Sequence, residues 1–135
     1  MSDPASGTRP AQPDPADFLA VDHDLSDEER AIRDAVRGYA TAELLPHVAD
    51  WFEAGTIPDP RGLAKGLGSL GVFGMHLTGY GCAGTNAVSY GLVCRELEAV
   101  DSGLRSFMSV QGSLVMTAIH RYGSEEQKQR WLPRM

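Results

Sequence analysis

Apolar residues return at helical intervals along the chain from Leu25 onward, and each run is bounded by a helix signal. Ile32, Val36 and Tyr39 share one face, with Arg30, Arg33, Asp34 and Arg37 on the other sides. Ahead of them, Ser26 and Glu29 have capping-box spacing, and Asp27 and Glu28 sit beside the positive end of the helix dipole. Pro46 predicts a kink or a break, followed by a short amphipathic turn through Val48, Trp51 and Phe52 that ends at Gly55. Pro58 and Pro60 restart the chain, and Leu63, Leu67 and Leu70 mark one face of the next helix, up to Gly71.

The stretch Gly71 to Gly84 breaks this rhythm. Val72, Phe73, Met75 and Leu77 are apolar, but the run Gly79-Tyr80-Gly81-Cys82-Ala83-Gly84 cannot hold a helix and predicts a loop whose backbone approaches something closely. Thr85 or Asn86 then caps a helix to about Val100, with Val88, Leu92, Leu97 and Val100 facing inward and Gly91, Arg95 and Glu98 on the other flank. After Asp101-Ser102-Gly103, a helix from Leu104 to Tyr122 is apolar around most of its circumference, which predicts a central helix covered on several sides. Gly123 ends it, and Ser124 to Gln127 forms a second capping box opening a last amphipathic helix. The expected fold class is all-α, an antiparallel bundle of five or six helices over residues 25–135.

Charge divides the chain unevenly. Residues 1–24 hold four of the eight prolines and five Asp against Arg9 alone, which is −4 of the net −6. That composition predicts a flexible acidic tail, with Phe18 and Leu19 as residues that could tack its end onto the body. The acidic balance argues against a nucleic-acid partner. The uncharged run Ser106 to Ile119 is too short to cross a bilayer. Residues 1–24 also lack the apolar core of a secretory signal, so the expected location is cytoplasmic, or the mitochondrial matrix in a eukaryote. Cys82 and Cys94 have no metal-site spacing, and His76 and His120 have no carboxylate partners at ligand spacing, so all four read as ordinary packing, surface or capping residues. Arg105 is the unusual charge: a cation at the start of an apolar helix, where the dipole disfavours it.

These residues carry a resemblance. Gly79 to Gly84, Tyr90-Gly91-Leu92, Arg95 to Glu98, Val100-Asp101-Ser102-Gly103, Arg105-Ser106, Met108 to Gln111, Ser113 to Met116 and Tyr122 to Gln127 with Leu132-Pro133 together resemble the acyl-CoA dehydrogenase family. The Val-Asp-Ser-Gly-x-Arg-Ser block is similar to the glutaryl-CoA-oxidising branch of that family. The resemblance implies that residues 25–135 are the N-terminal helical domain of the acyl-CoA dehydrogenase fold, followed in such enzymes by a β domain and a second helical domain.

It also implies an FAD enzyme that oxidises and decarboxylates glutaryl-CoA to crotonyl-CoA, working as a homotetramer and passing electrons to electron-transfer flavoprotein. The flavin contacts and the catalytic base are expected mainly in the later domains, so residues 1–135 alone are expected to be inactive. Within this stretch the implied substrate-binding residues are Arg105 and Ser106, which would hold the distal carboxylate, and Glu98, which would orient Arg105 or influence proton handling. The positive end of the helix is expected to add to the same anion site. Leu104, where an aromatic is familiar, and Gly112, where serine is, depart from the family pattern. A reading of another class stays open: a free-standing helical module that binds a partner and catalyses nothing, or a gene remnant of the same family, either one exposing a large apolar patch.

Overall fold

The computed structural model describes residues 19–135. Most of the predicted tail therefore lies outside the described residues, as does Phe18; Leu19 is fully exposed and does not pack on the body. The final part of that segment, Val21–Asp24, is a 3-10 turn whose Asp22 pairs with Arg33 and, at 3.6 Å, with Arg95.

The helices follow the sequence signals closely. α1 (Asp27–Tyr39) opens with the capping box: the Ser26 hydroxyl accepts from the Glu29 amide at 3.3 Å, while the Glu29 carboxylate accepts from the Ser26 amide at 2.8 Å. Around Pro46 the regular α-helix is interrupted, as expected, but the chain stays helical. The chain widens into a π segment, Ala40–Leu44, tightens into a 3-10 turn, Leu45–His47, and continues as α2 (Val48–Ala54) to Gly55. Pro46 has no N–H to offer the ladder, and the wide-then-tight turn absorbs that gap. α3 (Pro60–Ser69) starts on the Asp59 cap and buries Leu63 and Leu67.

The glycine-punctuated stretch folds as a small antiparallel hairpin, β1 (Thr78–Gly79) paired with β2 (Cys82–Ala83). Tyr80 and Gly81, at its tip, both have positive φ, the signature of a tight two-residue hairpin turn. The glycines at 79 and 81 thus serve backbone conformation rather than close approach, since a Cβ at either would meet nothing within 4 Å. The hairpin is fastened to the last helices: Tyr80 donates to Glu125 at 2.8 Å, and His120 Nε2 donates to the Thr78 carbonyl at 2.9 Å.

α4 (Ala87–Glu98) is capped by Asn86, whose side-chain oxygen accepts from the Ser89 amide while its Nδ2 donates to Glu29, both at 2.8 Å. One residue therefore ties the start of α4 to the start of α1. Further along, the buried Glu96 carboxylate takes two bonds from Arg37 of α1, at 2.8 and 3.0 Å, and is bonded by Arg95 at 3.0 Å. Burial pushes this carboxyl up, but the bonds from Arg37 and Arg95 outweigh burial and hold it below the usual range. Val88, expected inside, is exposed; Leu92, Val93 and Leu97 fill the interior instead.

α5 (Ser102–Ser109), a second π segment (Val110–Met116) and α6 (Thr117–Tyr122) form one rod, and α7 (Glu125–Trp131) with the turn Leu132–Arg134 completes the chain. Counting continuous rods, the described residues make the five-helix bundle that the pattern predicts. The expectation for the long apolar helix needs correction, however. Only the stripe Leu104, Met108, Gly112 and Met116 is buried, whereas Phe107, Val110, Leu114 and Val115 lie exposed among the described residues, Leu114 at 68%. The four-residue spacing of that stripe drifts by about 40° per step on a regular α-helix, and the wide π turn takes up the drift.

Candidate functional site

The site is built where α4 ends and α5 begins. Leu97, fully buried, anchors the last turn of α4 and leaves Glu98 facing out. Leu104 anchors the first turn of α5, so Arg105 follows on its flank. Across the intervening turn, Arg105 Nε donates to Glu98 Oε2 at 2.5 Å, with both side chains partly exposed. The Glu98 hydrogen bond, then its charge, pushes the guanidinium up from its ordinary value. The terminal nitrogens of Arg105 carry no hydrogen bond among the described residues. Glu98 thus holds the inner edge of the guanidinium and leaves the two-pronged end open, the arrangement that grips a carboxylate or a phosphate.

Ser106 is the next residue on α5, half-buried, and its hydroxyl has no partner among the described residues. Arg105 and Glu98 thus meet at one corner of the bundle, and Ser106 follows Arg105 in the chain with no contact between its hydroxyl and the pair among the described residues. The helix N-terminus does not join them as expected. Asp101 caps α5, its carboxylate accepting from the amides of Gly103 at 2.8 Å and Leu104 at 3.2 Å. That acid satisfies the positive end of the helix and explains how a cation is tolerated in its first turn.

Around this corner lie groups that local sequence does not reveal. Tyr90, Cys94 and Glu98 recur every four residues along α4 and so share one flank of that helix. The Tyr90 hydroxyl is 3.1 Å from that of Ser113 on the π segment. His76, from the loop before the hairpin, meets the Tyr90 ring edge-on at 5.2 Å between centroids and bonds Thr117 at 3.0 Å. It is a partly buried bridge rather than a surface residue. Its signal in the sequence was faint, a lone histidine in an apolar run. Burial pushes both cysteine thiols up from their ordinary value, so neither is a ready nucleophile. The described residues contain no group of three or more metal-ligating side chains. No helix among them is long and apolar enough to cross a membrane.

Residues 26–135 match the model of the acyl-CoA dehydrogenase N-terminal domain. The chain belongs to the acyl-CoA dehydrogenase family. Among solved structures of that family, it is similar to a glutaryl-CoA dehydrogenase from Mycobacterium smegmatis in complex with FADH2. The two are 60% identical with a TM-score of 0.83, over 89% of this chain and 31% of the other. Among curated members, it is 32% identical over 118 residues to the bovine mitochondrial short/branched chain specific acyl-CoA dehydrogenase, covering 87% of this chain and 27% of that one. It is also 32% identical over 113 residues to the short-chain specific acyl-CoA dehydrogenase of Clostridium acetobutylicum, covering 83% and 29% respectively. The chain thus spans less than a third of the length of these family members.

Proposed function

We propose that this chain is the N-terminal helical part of an FAD-dependent acyl-CoA dehydrogenase that oxidises and decarboxylates glutaryl-CoA, and that its own contribution is the end of the pocket that receives the distal carboxylate. The observation that carries the reading is the Arg105–Glu98 pair with the guanidinium's terminal nitrogens open, in a chain 60% identical over its matched length to a glutaryl-CoA dehydrogenase. Glu98 orients the guanidinium, Arg105 supplies two charge-assisted donors, and the unpartnered Ser106 hydroxyl offers a third. A monocarboxylic acyl chain would bring only a methyl group to this cation. A dicarboxylic one brings the matching anion, so selectivity lies in the desolvated charge pair.

The flavin, when bound, accepts the β-hydride of the acyl chain. The described residues do not themselves build a dinucleotide cradle, because the glycine run at 79–84 closes its own hairpin instead of opening a helix. Consistent with the resemblance, the flavin contacts and the base that removes the α-proton are assigned to the rest of the enzyme. The exposed stripe Phe107, Val110, Leu114 and Val115 supports this, being an apolar face suited to cover by further protein. A homotetramer and electron-transfer flavoprotein as electron acceptor belong to the same reading and rest on the family resemblance.

Anaerobic mixing of the flavin-loaded enzyme carrying this domain with glutaryl-CoA tests the proposal. Bleaching of the flavin with formation of crotonyl-CoA and carbon dioxide is the expected result. An enzyme bleached by butyryl-CoA but not by glutaryl-CoA would overturn the substrate assignment.

A further inference from the structure

His76 occupies a position that its hydrogen bonds define closely. The Thr117 hydroxyl has one hydrogen and donates it to the Gly112 carbonyl at 3.0 Å, since a carbonyl can only accept. With that hydrogen on the carbonyl, the hydroxyl accepts from His76, 3.0 Å away, and this assigns the proton to His76 Nε2. The other ring nitrogen, Nδ1, is buried with no hydrogen-bond partner, which suits a lone pair and not an N–H. Burial, and then the proximity of His120, push the imidazole below its ordinary value, so the ring is neutral at pH 7.

The contacts of this imidazole all lead to one place. Gly112 and Ser113 belong to the π segment Val110–Met116, and π turns inside α-helices recur at functional sites. The His76–Thr117 bond braces that wide turn at the Gly112 carbonyl, and the Tyr90–Ser113 contact braces it one residue later. The His76 ring also supports the Tyr90 ring edge-on, and Tyr90 stands two turns before Glu98, the partner of Arg105, on the same flank of α4. A Cβ at Gly112 would come 3.1 Å from the Gly74 amide nitrogen and 3.6 Å from His76 Cε1, so the loop carrying His76 is seated directly on the π segment.

We propose that His76, in its Nε2–H tautomer, is a positioning residue that acts through Thr117 and the wide turn at Val110–Met116 to hold the Tyr90–Ser113 hydroxyl pair on the α4 flank that carries Glu98, the partner of Arg105. The role given to that hydroxyl pair, a neutral wall next to the carboxylate anchor, rests on the proposed function; the positioning itself does not.

Nitrogen-15 NMR of the 135-residue chain tests it. The His76 ring is expected to show a protonated Nε2 and an unprotonated Nδ1; a protonated Nδ1 overturns the proposal whatever the variants do. Thr117→Val is expected to shift the Tyr90 ring and Arg105 Nε–H resonances and leave the distant Arg37 Nε–H, bonded to Glu96, in place. Thr117→Ser should restore the wild-type spectrum. Equal movement of the Arg37 and Arg105 signals would mean general loosening, and an unmoved Arg105 would mean that the brace does not reach the site; either result overturns the proposal. If Thr117→Val does not fold, His76→Phe, which cannot donate to Thr117, is read by the same signals and should move Tyr90 and Arg105 but not Arg37, whereas His76→Gln, whose amide can still donate, should move them less. An Arg105 unmoved in His76→Phe overturns the proposal. Failure of Arg105 to select glutaryl-CoA would remove the proposed substrate without altering any of these resonances.

Discussion

Replacing Glu96 by glutamine probes the joint that holds α4, and with it Glu98, against α1. The carboxylate is almost fully buried, and Arg37 and Arg95 are respectively 46% and 37% exposed. Glutamine keeps the shape but loses the charge, and it turns an N–H₂ toward one of the guanidinium groups. Breaking a fully buried ion pair costs about 3–5 kcal/mol, but here both arginines can recover water, so the cost should fall to about 2 kcal/mol. For a domain of this size that is a loss of roughly 10 °C in melting temperature.

The pH dependence gives a second check. The folded-state pKa of Glu96 is depressed, so its contribution is complete above the ordinary glutamate value of about 4.3 and is lost as pH falls through the lower folded value. Thermal melts followed by circular dichroism should therefore separate wild type from Glu96→Gln fully at pH 7, with the gap narrowing below about pH 4. A variant melting within 2 °C (about 0.4 kcal/mol) of wild type at pH 7, or a gap unchanged at pH 3, would refute the reasoning.

Asn86→Ala removes both the α4 cap and the link to Glu29 and should cost about 1–2 kcal/mol in urea denaturation. Gly74→Ala combines a left-handed φ with a Cβ placed 2.6 Å from the Met116 methyl, so a loss of about 1–3 kcal/mol is expected by the same measurement. Leu114→Lys, on the exposed face, should change stability by less than about 0.5 kcal/mol while reducing self-association of the isolated chain in analytical ultracentrifugation.

Local signals carried most of the fold. Both capping boxes, the Asn86 cap, the Leu63–Leu67 face and the glycine stops all act within one helical turn, and each stands where its spacing puts it. The wide turns were not legible, because a π segment is a compromise between helix phase and neighbours distant in sequence. In the long apolar helix that compromise leaves Leu114 and Val115 outside. Arg33 shows the same limit: placed on the polar side by periodicity, it is buried because Asp22, outside the helix, reaches back to pair with it. At the site, Arg105 was conspicuous as a cation in the wrong place, and the motif brought Glu98 and Ser106 with it. Tyr90, Ser113, His76 and Thr117 were not, since only the fold brings residues 76, 90, 113 and 117 together.

The central claim is that Arg105 anchors a second carboxylate, and the specificity ratio tests it most directly. In the flavin-loaded enzyme carrying this domain, kcat/KM for glutaryl-CoA and for butyryl-CoA should be measured in wild type, Arg105→Ala and Arg105→Lys. Arg105→Ala should lower the glutaryl-CoA value by roughly 100-fold or more, with a much smaller effect on butyryl-CoA. Arg105→Lys should recover only part of the loss, since a point charge does not reproduce the two-pronged grip. Equal losses on both substrates would contradict the account and make Arg105 a structural residue.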